Sequence, residues 1–212
     1  MRKPVILITG ANGEMGHGLI QGLSKTTKID ILALDLEPLS KNIKDNVLDG
    51  IQGDILDINL LEMLNTEYEI TAIYHLAALL STRAEFSPLI AHEVNVNGTL
   101  NLLKLAMEQA QSQGKKIKFF FPSSIAVYGI NSVEEKDRAG SITETEYLSP
   151  QTMYGCNKLY CEQLGTYFSN HYQQLSATFT PGLLDFRSLR FPGLISAITM
   201  PTGGTSDFIP EM

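Results

Sequence analysis

Val5-Ile-Leu-Ile-Thr9 runs directly into Gly10-Ala-Asn-Gly13-Glu-Met-Gly16, and the reading of these residues decides the fold. An unbroken run of apolar and β-branched side chains predicts a strand buried on both faces, as in a parallel sheet, rather than a half-exposed one. Three glycines close behind it mark a tight turn, and the helical period after them extends to about Lys25. Strand, glycine turn and helix in that order turn a glycine pattern into a dinucleotide-binding hypothesis. Gly10 permits the turn, Gly13 lets backbone approach a pyrophosphate, and Gly16 lets helix pack closely on strand. The anion then rests on the helix N-terminus, where free N–H groups and the dipole favour negative charge, with Asn12, Glu14 and Met15 between the glycines. The spacing GxxGxxG has one residue more in its first interval than the GxGxxG fingerprint.

Working outward, short apolar runs alternate with segments of helical period. Ile29 to Leu34 is the second strand, Val47 to Gln52 a weak third, Thr71 to His75 the fourth, Ile117 to Phe121 the fifth and Phe186 to Phe191 the sixth. Helices are expected from Asp57 to Leu64, from Ile90 to Gln113, and from just after Pro150 to Tyr172, with a loop over Gly129 to Pro150. This alternation predicts an α/β fold, a doubly wound parallel sheet of Rossmann type with helices on both faces. Asp35 ends the second strand roughly twenty residues beyond the glycines, where a carboxylate accepts from both ribose hydroxyls of NAD and repels a 2′-phosphate. Leu36 and Glu37 follow it, so no adjacent cation would receive NADP, and NAD is the expected cofactor.

Tyr154 and Lys158 share one face of the last helix at a spacing of four. A cation beside a phenol favours the phenolate, which lets the phenol serve as a base near neutral pH. The same spacing arises by chance on many solvated helices, so the pair gains meaning only beside the glycine loop. The 212 residues carry a net charge of −7, which argues against nucleic acid or an anionic membrane as the main partner. Cys156 and Cys161 stand five apart, suggesting neither a disulfide nor a CxxC motif, and a reducing cytoplasmic setting is expected. His17, His75, His92 and His171 share no ligand spacing, so no metal is expected, and His75 reads as a structural hydrogen-bonding residue. Val133-Glu-Glu-Lys-Asp137 reads as a solvated loop.

Several segments resemble the extended short-chain dehydrogenase/reductase family of NAD-dependent epimerases and dehydratases: GANGEMG at Gly10–Gly16, GDI at Gly53–Ile55, HLAA at His75–Ala78, NVNGT at Asn95–Thr99, SSIAVYG at Ser123–Gly129 and YGCNK at Tyr154–Lys158. They cover nearly the whole chain in the family's order. Within the family the resemblance is to the short-chain-type L-threonine 3-dehydrogenases, carried by HLAALLS at His75–Ser81, TMYG at Thr152–Gly155 and the run Arg187–Ser196 that continues to Asp207. The resemblance implies that Tyr154 removes the substrate hydroxyl proton, that Lys158 holds the nicotinamide ribose and lowers the Tyr154 pKa, and that Ser124 hydrogen-bonds the reacting oxygen. It further implies that Ser123 and Pro192 lie at the nicotinamide end, that Asp54 and Ile55 contact adenine, that Leu76, Ala77 and Ala78 pass under the cofactor, and that Asn95 supports that loop. Ser81 and Thr205 are the expected contacts to an amino-acid substrate.

On this resemblance, residues 1–192 form the NAD-binding domain and 193–212 open a substrate region that family members continue well beyond. A chain ending there is expected to bind NAD but to turn threonine over poorly. A homodimer through a four-helix bundle is implied, built from the helices near Ile90–Gln113 and Gln151–Tyr172. The alternatives are a nucleotide-sugar epimerase or dehydratase, a sugar-acid dehydrogenase with the same Ser-Tyr-Lys chemistry, and a non-catalytic NAD-binding protein.

Overall fold

The computed structural model describes residues 2–177, 179–180 and 182–194. Six strands form one sheet: β1 (Lys3–Thr9), β2 (Asp30–Asp35), β3 (Asp49–Gln52), β4 (Tyr68–His75), β5 (Ile117–Ser124) and β6 (Leu184–Phe191). Their order is β3-β2-β1-β4-β5-β6 and every pairing is parallel. This is the doubly wound fold expected from the alternation of elements. The order reverses between β1 and β4, so a crevice opens at the carboxyl ends of these two strands, where such sheets bind ligands.

Alternate residues of β1 supply two cores, as a pleat buried on both sides must. Val5 and Leu7 face a cluster with Leu102, Leu105, Phe119 and Phe121, whereas Ile6 and Ile8 face a smaller one with Ile20, Ile31 and Ala33. The larger core is covered by α3 (Ile58–Glu67), α6 (Gly98–Gln113) and α8 (Met153–Asn170), and the smaller by α1 (Glu14–Thr26) and α2 (Lys41–Lys44). Two short helices, α4 (Ser81–Phe86) and α5 (Pro88–His92), lead from the β4 loop towards α6.

Two segments depart from the sequence reading. The single helix expected from Ile90 to Gln113 is instead α5, a π turn over Glu93–Asn97, and α6. At this turn the Asn95 carbonyl accepts from the Thr99 hydroxyl at 2.6 Å and from the Cys161 thiol at 3.3 Å. Val133–Asp137 is not loop but part of α7 (Val133–Ala139). Ser132 Oγ accepts from Glu135 N at 3.0 Å, and the Glu135 carboxylate accepts from Asn131 N at 2.8 Å, so reciprocal capping starts a helix that buries nothing. The charge run is solvated as expected, but the cap was the stronger local signal.

Candidate active site

The glycine loop leaves β1 with Gly10 at φ +68, a left-handed conformation that a side chain would strain. A Cβ there would lie 2.6 Å from Ala77 N, so the turn also needs glycine to pass beside the β4 loop. Gly16 answers a different contact from the one expected. Its missing Cβ would stand 2.3 Å from Ala11 O, so it lets α1 fold back on the loop's own carbonyls rather than on a strand. Gly13 caps α1 with no side chain, which leaves the mouth of the helix clear. A Cβ on it would meet nothing nearer than Gly10 O at 3.3 Å.

Asp35 ends β2 beside this loop, its Oδ2 accepting from Asn12 N at 2.8 Å and its Oδ1 from Glu37 N at 3.1 Å. The Asn12 side chain clasps the next turn, donating to the Glu37 and Pro38 carbonyls and accepting from Ser40 N. His17 bridges Gly13 O and Ser40 Oγ. Both nitrogens of His75 are also engaged, by Thr9 and Thr99 hydroxyls. Burial, with Lys158 nearby, holds the His75 pKa down at about 3, so the ring is neutral and structural.

A cavity of about 430 Å³ follows the loop. Gly10, Asn12, Gly13, Glu14, Met15, Gly16, Asp35, Asp54, Ile55, Leu76, Ala77 and Ala78 all line it. A second cavity of about 420 Å³ holds Ser81, Ser123, Ser124, Tyr154, Lys158 and Pro192. Met15, Leu76, Ala78, Leu80 and Leu194 border both, so the two form one groove. Asn95 lines neither. It lies beneath the groove, accepting from Leu79 N at 2.8 Å and donating to Leu79 O at 3.0 Å, which fixes the β4 loop from behind. Thr205 lies outside the described residues. Sequence reasoning missed Arg83 and Val94 in the first cavity and Ile125, Ala126 and Phe191 in the second. Ile125 and Ala126 stood inside a quoted motif, and Arg83 is a single cation with no periodic signal.

The Tyr154 end of the groove depends on how closely α8 approaches β5. Thr152 Oγ1 accepts from Gly155 N at 3.0 Å and starts α8 just before Tyr154. The Glu85 carboxylate of α4 accepts from Met153 N at 2.6 Å on the same turn. A Cβ on Gly155 would lie 2.1 Å from Ala126 O, so only glycine allows this turn against the one after β5. Ser124 Oγ accepts from Ala126 N at 3.1 Å, so it does cap that turn, and its O–H is left to donate into the cavity. Lys158 is buried, with Nζ donating to Pro122 O at 2.8 Å and standing 5.4 Å from the Tyr154 ring centroid.

The protonation states differ from the sequence expectation. Burial pushes the Tyr154 phenol up to about 12, and burial brings the Lys158 ammonium down to about 8 against opposing pulls from Cys161 and Glu162. Desolvation disfavours the charged form of each, and this outweighs the mutual help expected from the spacing of four. At neutral pH the protein holds a neutral phenol beside a cation.

The profile of the NAD dependent epimerase/dehydratase family matches residues 6–211. The chain belongs to that family. The mitochondrial L-threonine 3-dehydrogenase of Sus scrofa is 32% identical over 99% of this chain and 51% of its own length. An uncharacterised epimerase/dehydratase of Staphylococcus haemolyticus is 34% identical over 98% of this chain and 59% of its own. A solved monomeric L-threonine 3-dehydrogenase from a metagenome superposes with a TM-score of 0.78 at 36% identity, over 97% of this chain and 59% of that one. The chain thus spans between half and three fifths of these relatives.

The family's cofactor is NAD, and the residues present fit it. The glycine turns leave backbone exposed where a Cβ would otherwise stand, and the Asp35 carboxylate lines the same cavity beside Asn12 N. Ser123 Oγ is buried in the wall of the second cavity with no partner among the described residues, a polar atom that a bound amide or hydroxyl would satisfy.

Proposed function

We propose that this protein oxidises the hydroxyl of L-threonine to give 2-amino-3-oxobutanoate, with residues 1–192 as the NAD-binding part and 193–212 as the start of the substrate side. The observation that carries this reading is the convergence of Ser124, Tyr154 and Lys158 on one cavity that opens into the glycine-loop groove. The amino-acid branch is supported by the likeness to threonine dehydrogenases at 31–36% identity over 97–99% of this chain. Gly10, Asn12, Gly13, Glu14, Met15, Gly16 and Asp35 would hold the pyrophosphate and adenine ribose. Asp54 and Ile55 would flank adenine, and Leu76, Ala77, Ala78, Ser123 and Pro192 the nicotinamide side. Asn95 would act through the loop it braces. When bound, NAD supplies the hydride acceptor and a cationic ring near the phenol.

The chain's own residues do the proton work. Tyr154 gives up its own proton to solvent through the open groove and, as the phenolate that the Lys158 ammonium stabilises, takes the substrate hydroxyl proton as hydride leaves the same carbon for NAD. Ser124 donates its O–H to the reacting oxygen and fixes its position. Ser81, at the rim of the cavity, and Thr205 would contact the amino-acid portion. The raised Tyr154 pKa makes the Lys158 charge essential, since the buried phenolate has no other cation in the lining of its cavity among the described residues.

The test is NADH formation by the purified protein with L-threonine against a panel of UDP-sugars, repeated with Tyr154→Phe. Threonine turnover that falls by roughly 10²–10⁴-fold in the variant, with NAD binding kept, is the expected result. Turnover of a UDP-sugar alone would move the reading to an epimerase or dehydratase, and NAD binding without any turnover would favour a non-catalytic role.

A second copy of the chain is the expected partner. Phe86, Leu89 and Ile90 on α4 and α5 are 84%, 80% and 59% exposed, and neighbouring α8 exposes Tyr160 and Tyr167. This apolar face supports a homodimer built on α4, α5 and α8, further forward than the Ile90–Gln113 helix expected from sequence. Light scattering of Leu89→Glu should report monomer where the parent reports dimer. Free Cys156 and Cys161 are consistent with a cytoplasmic setting, and no helix among the described residues is long and apolar enough to cross a membrane.

A further inference from the structure

We propose that Arg83 is the counter-ion for the cofactor's pyrophosphate, binding it from α4 across the cavity from the glycine loop. Arg83 lines the same cavity as Gly10, Gly13 and Asp35, and it is the one cation among the described residues that do so. Its charged companions there are Glu14, Asp35 and Asp54, all carboxylates.

The charge balance calls for such a group. A dinucleotide brings two negative charges on its pyrophosphate into a cavity edged by three carboxylates, in a chain of net charge −7. The α1 N-terminus offers about half a positive charge. Glu14 sits in that first turn and offsets part of it. No cationic side chain comes from the glycine loop itself.

The guanidinium is also available. Among the described residues it takes part in no side-chain hydrogen bond or ion pair. Its near neighbour in sequence, Glu85, is already committed to Met153 N. That bond and the burial of Ala84 anchor α4, so the side chain swings from a fixed backbone position. A planar guanidinium can hold two phosphate oxygens at once, which a point charge cannot. The exposed site limits the gain to a modest factor, because water and salt compete for both partners.

The experiment compares NAD, ADP-ribose and adenosine, each measured by competition against bound NADH fluorescence, on the parent, Arg83→Gln and Arg83→Lys. The expected result is an affinity of Arg83→Gln for NAD and ADP-ribose weaker by about two- to fivefold, with adenosine unchanged. Arg83→Lys recovers part of the loss, and the parent's ADP-ribose affinity falls more steeply with added salt than that of Arg83→Gln. Equal losses for adenosine and ADP-ribose would overturn the proposal in favour of stacking on the base. Unchanged ADP-ribose affinity in Arg83→Gln would overturn it outright. The readout is independent of which substrate the enzyme oxidises.

Discussion

The two ends of the groove are made of different material. At the glycine end the working surface is backbone: a left-handed Gly10, a Gly13 that caps α1 without a side chain and a Gly16 pressed on Ala11. At the other end it is side chains from β5 and α8, brought together because Gly155 lets the helix touch the turn at Ala126. A backbone surface tolerates many neighbours but almost no added atom, whereas a side-chain site tolerates neighbours only if its protonation states survive burial. The first end should therefore break by sterics and the second by electrostatics.

The sharpest break is Gly16→Ala. A methyl group 2.3 Å from Ala11 O and 2.7 Å from Gly10 O cannot be relieved by a rotamer change, because both obstacles are backbone. Roughly 3–5 kcal/mol of destabilisation is expected in urea titration, together with loss of NAD binding. Gly18 on the same helix has nothing within 4 Å of its would-be Cβ, so Gly18→Ala should stabilise by about 0.5–1 kcal/mol. Similar stability for the two variants would remove the steric account of this end.

The seam between the ends tests the electrostatic side. Unfolded His75 takes up a proton as pH falls through its ordinary 6.5, whereas the folded ring waits until about 3. The unfolded state thus binds protons first, and stability drops as pH falls through that window. The full effect is on the order of 5 kcal/mol, reached near the lower limit. Carboxylates titrate there too, so the measurement that isolates His75 is the difference from His75→Gln, which keeps a hydrogen-bonding side chain between Thr9 and Thr99. Its stability–pH slope between 6.5 and 4 should be shallower by about one proton, and an identical slope would mean that the buried ring is protonated in the folded state.

The contrast also explains what could be read from sequence. The strands, the parallel sheet and the glycine turn were legible because apolar runs and glycine spacing are local, and each reports a backbone requirement; the order of the strands came only with the fold. Asp35 was legible from its position at a strand end. Ser124, Tyr154 and Lys158 were legible only as a spacing plus a family resemblance, and the charge states of Tyr154 and Lys158 were not. The spacing of Tyr154 and Lys158 signals proximity, but desolvation depends on Phe121, Pro122 and the rest of the core closing around them. The π turn at Asn95 has no local signal in the sequence: its contacts are tertiary, the Asn95 side chain bonding Leu79 and its carbonyl accepting from the Cys161 thiol of α8. α7 escaped because the charge run obscured the Ser132-to-Glu135 cap.

The smallest expected effect bears on whether the backbone end is purely steric. Glu14 occupies the first turn of α1, where a carboxylate stabilises the helix dipole by about 0.3–1 kcal/mol. The same charge opposes a pyrophosphate arriving at that turn. Glu14→Gln should therefore lose a little stability and bind NAD about two- to fivefold more tightly at low salt. The two effects have opposite signs, which general loosening of the helix cannot produce. Both should shrink above about 0.1 M salt, where the screening length is about 10 Å. If Arg83 and Glu14 act on the same phosphates with opposite charges, combining Glu14→Gln with Arg83→Gln should return NAD affinity towards that of the parent. A double variant as weak as Arg83→Gln alone would confine charge effects to the α4 side and leave the glycine turn a steric cradle only.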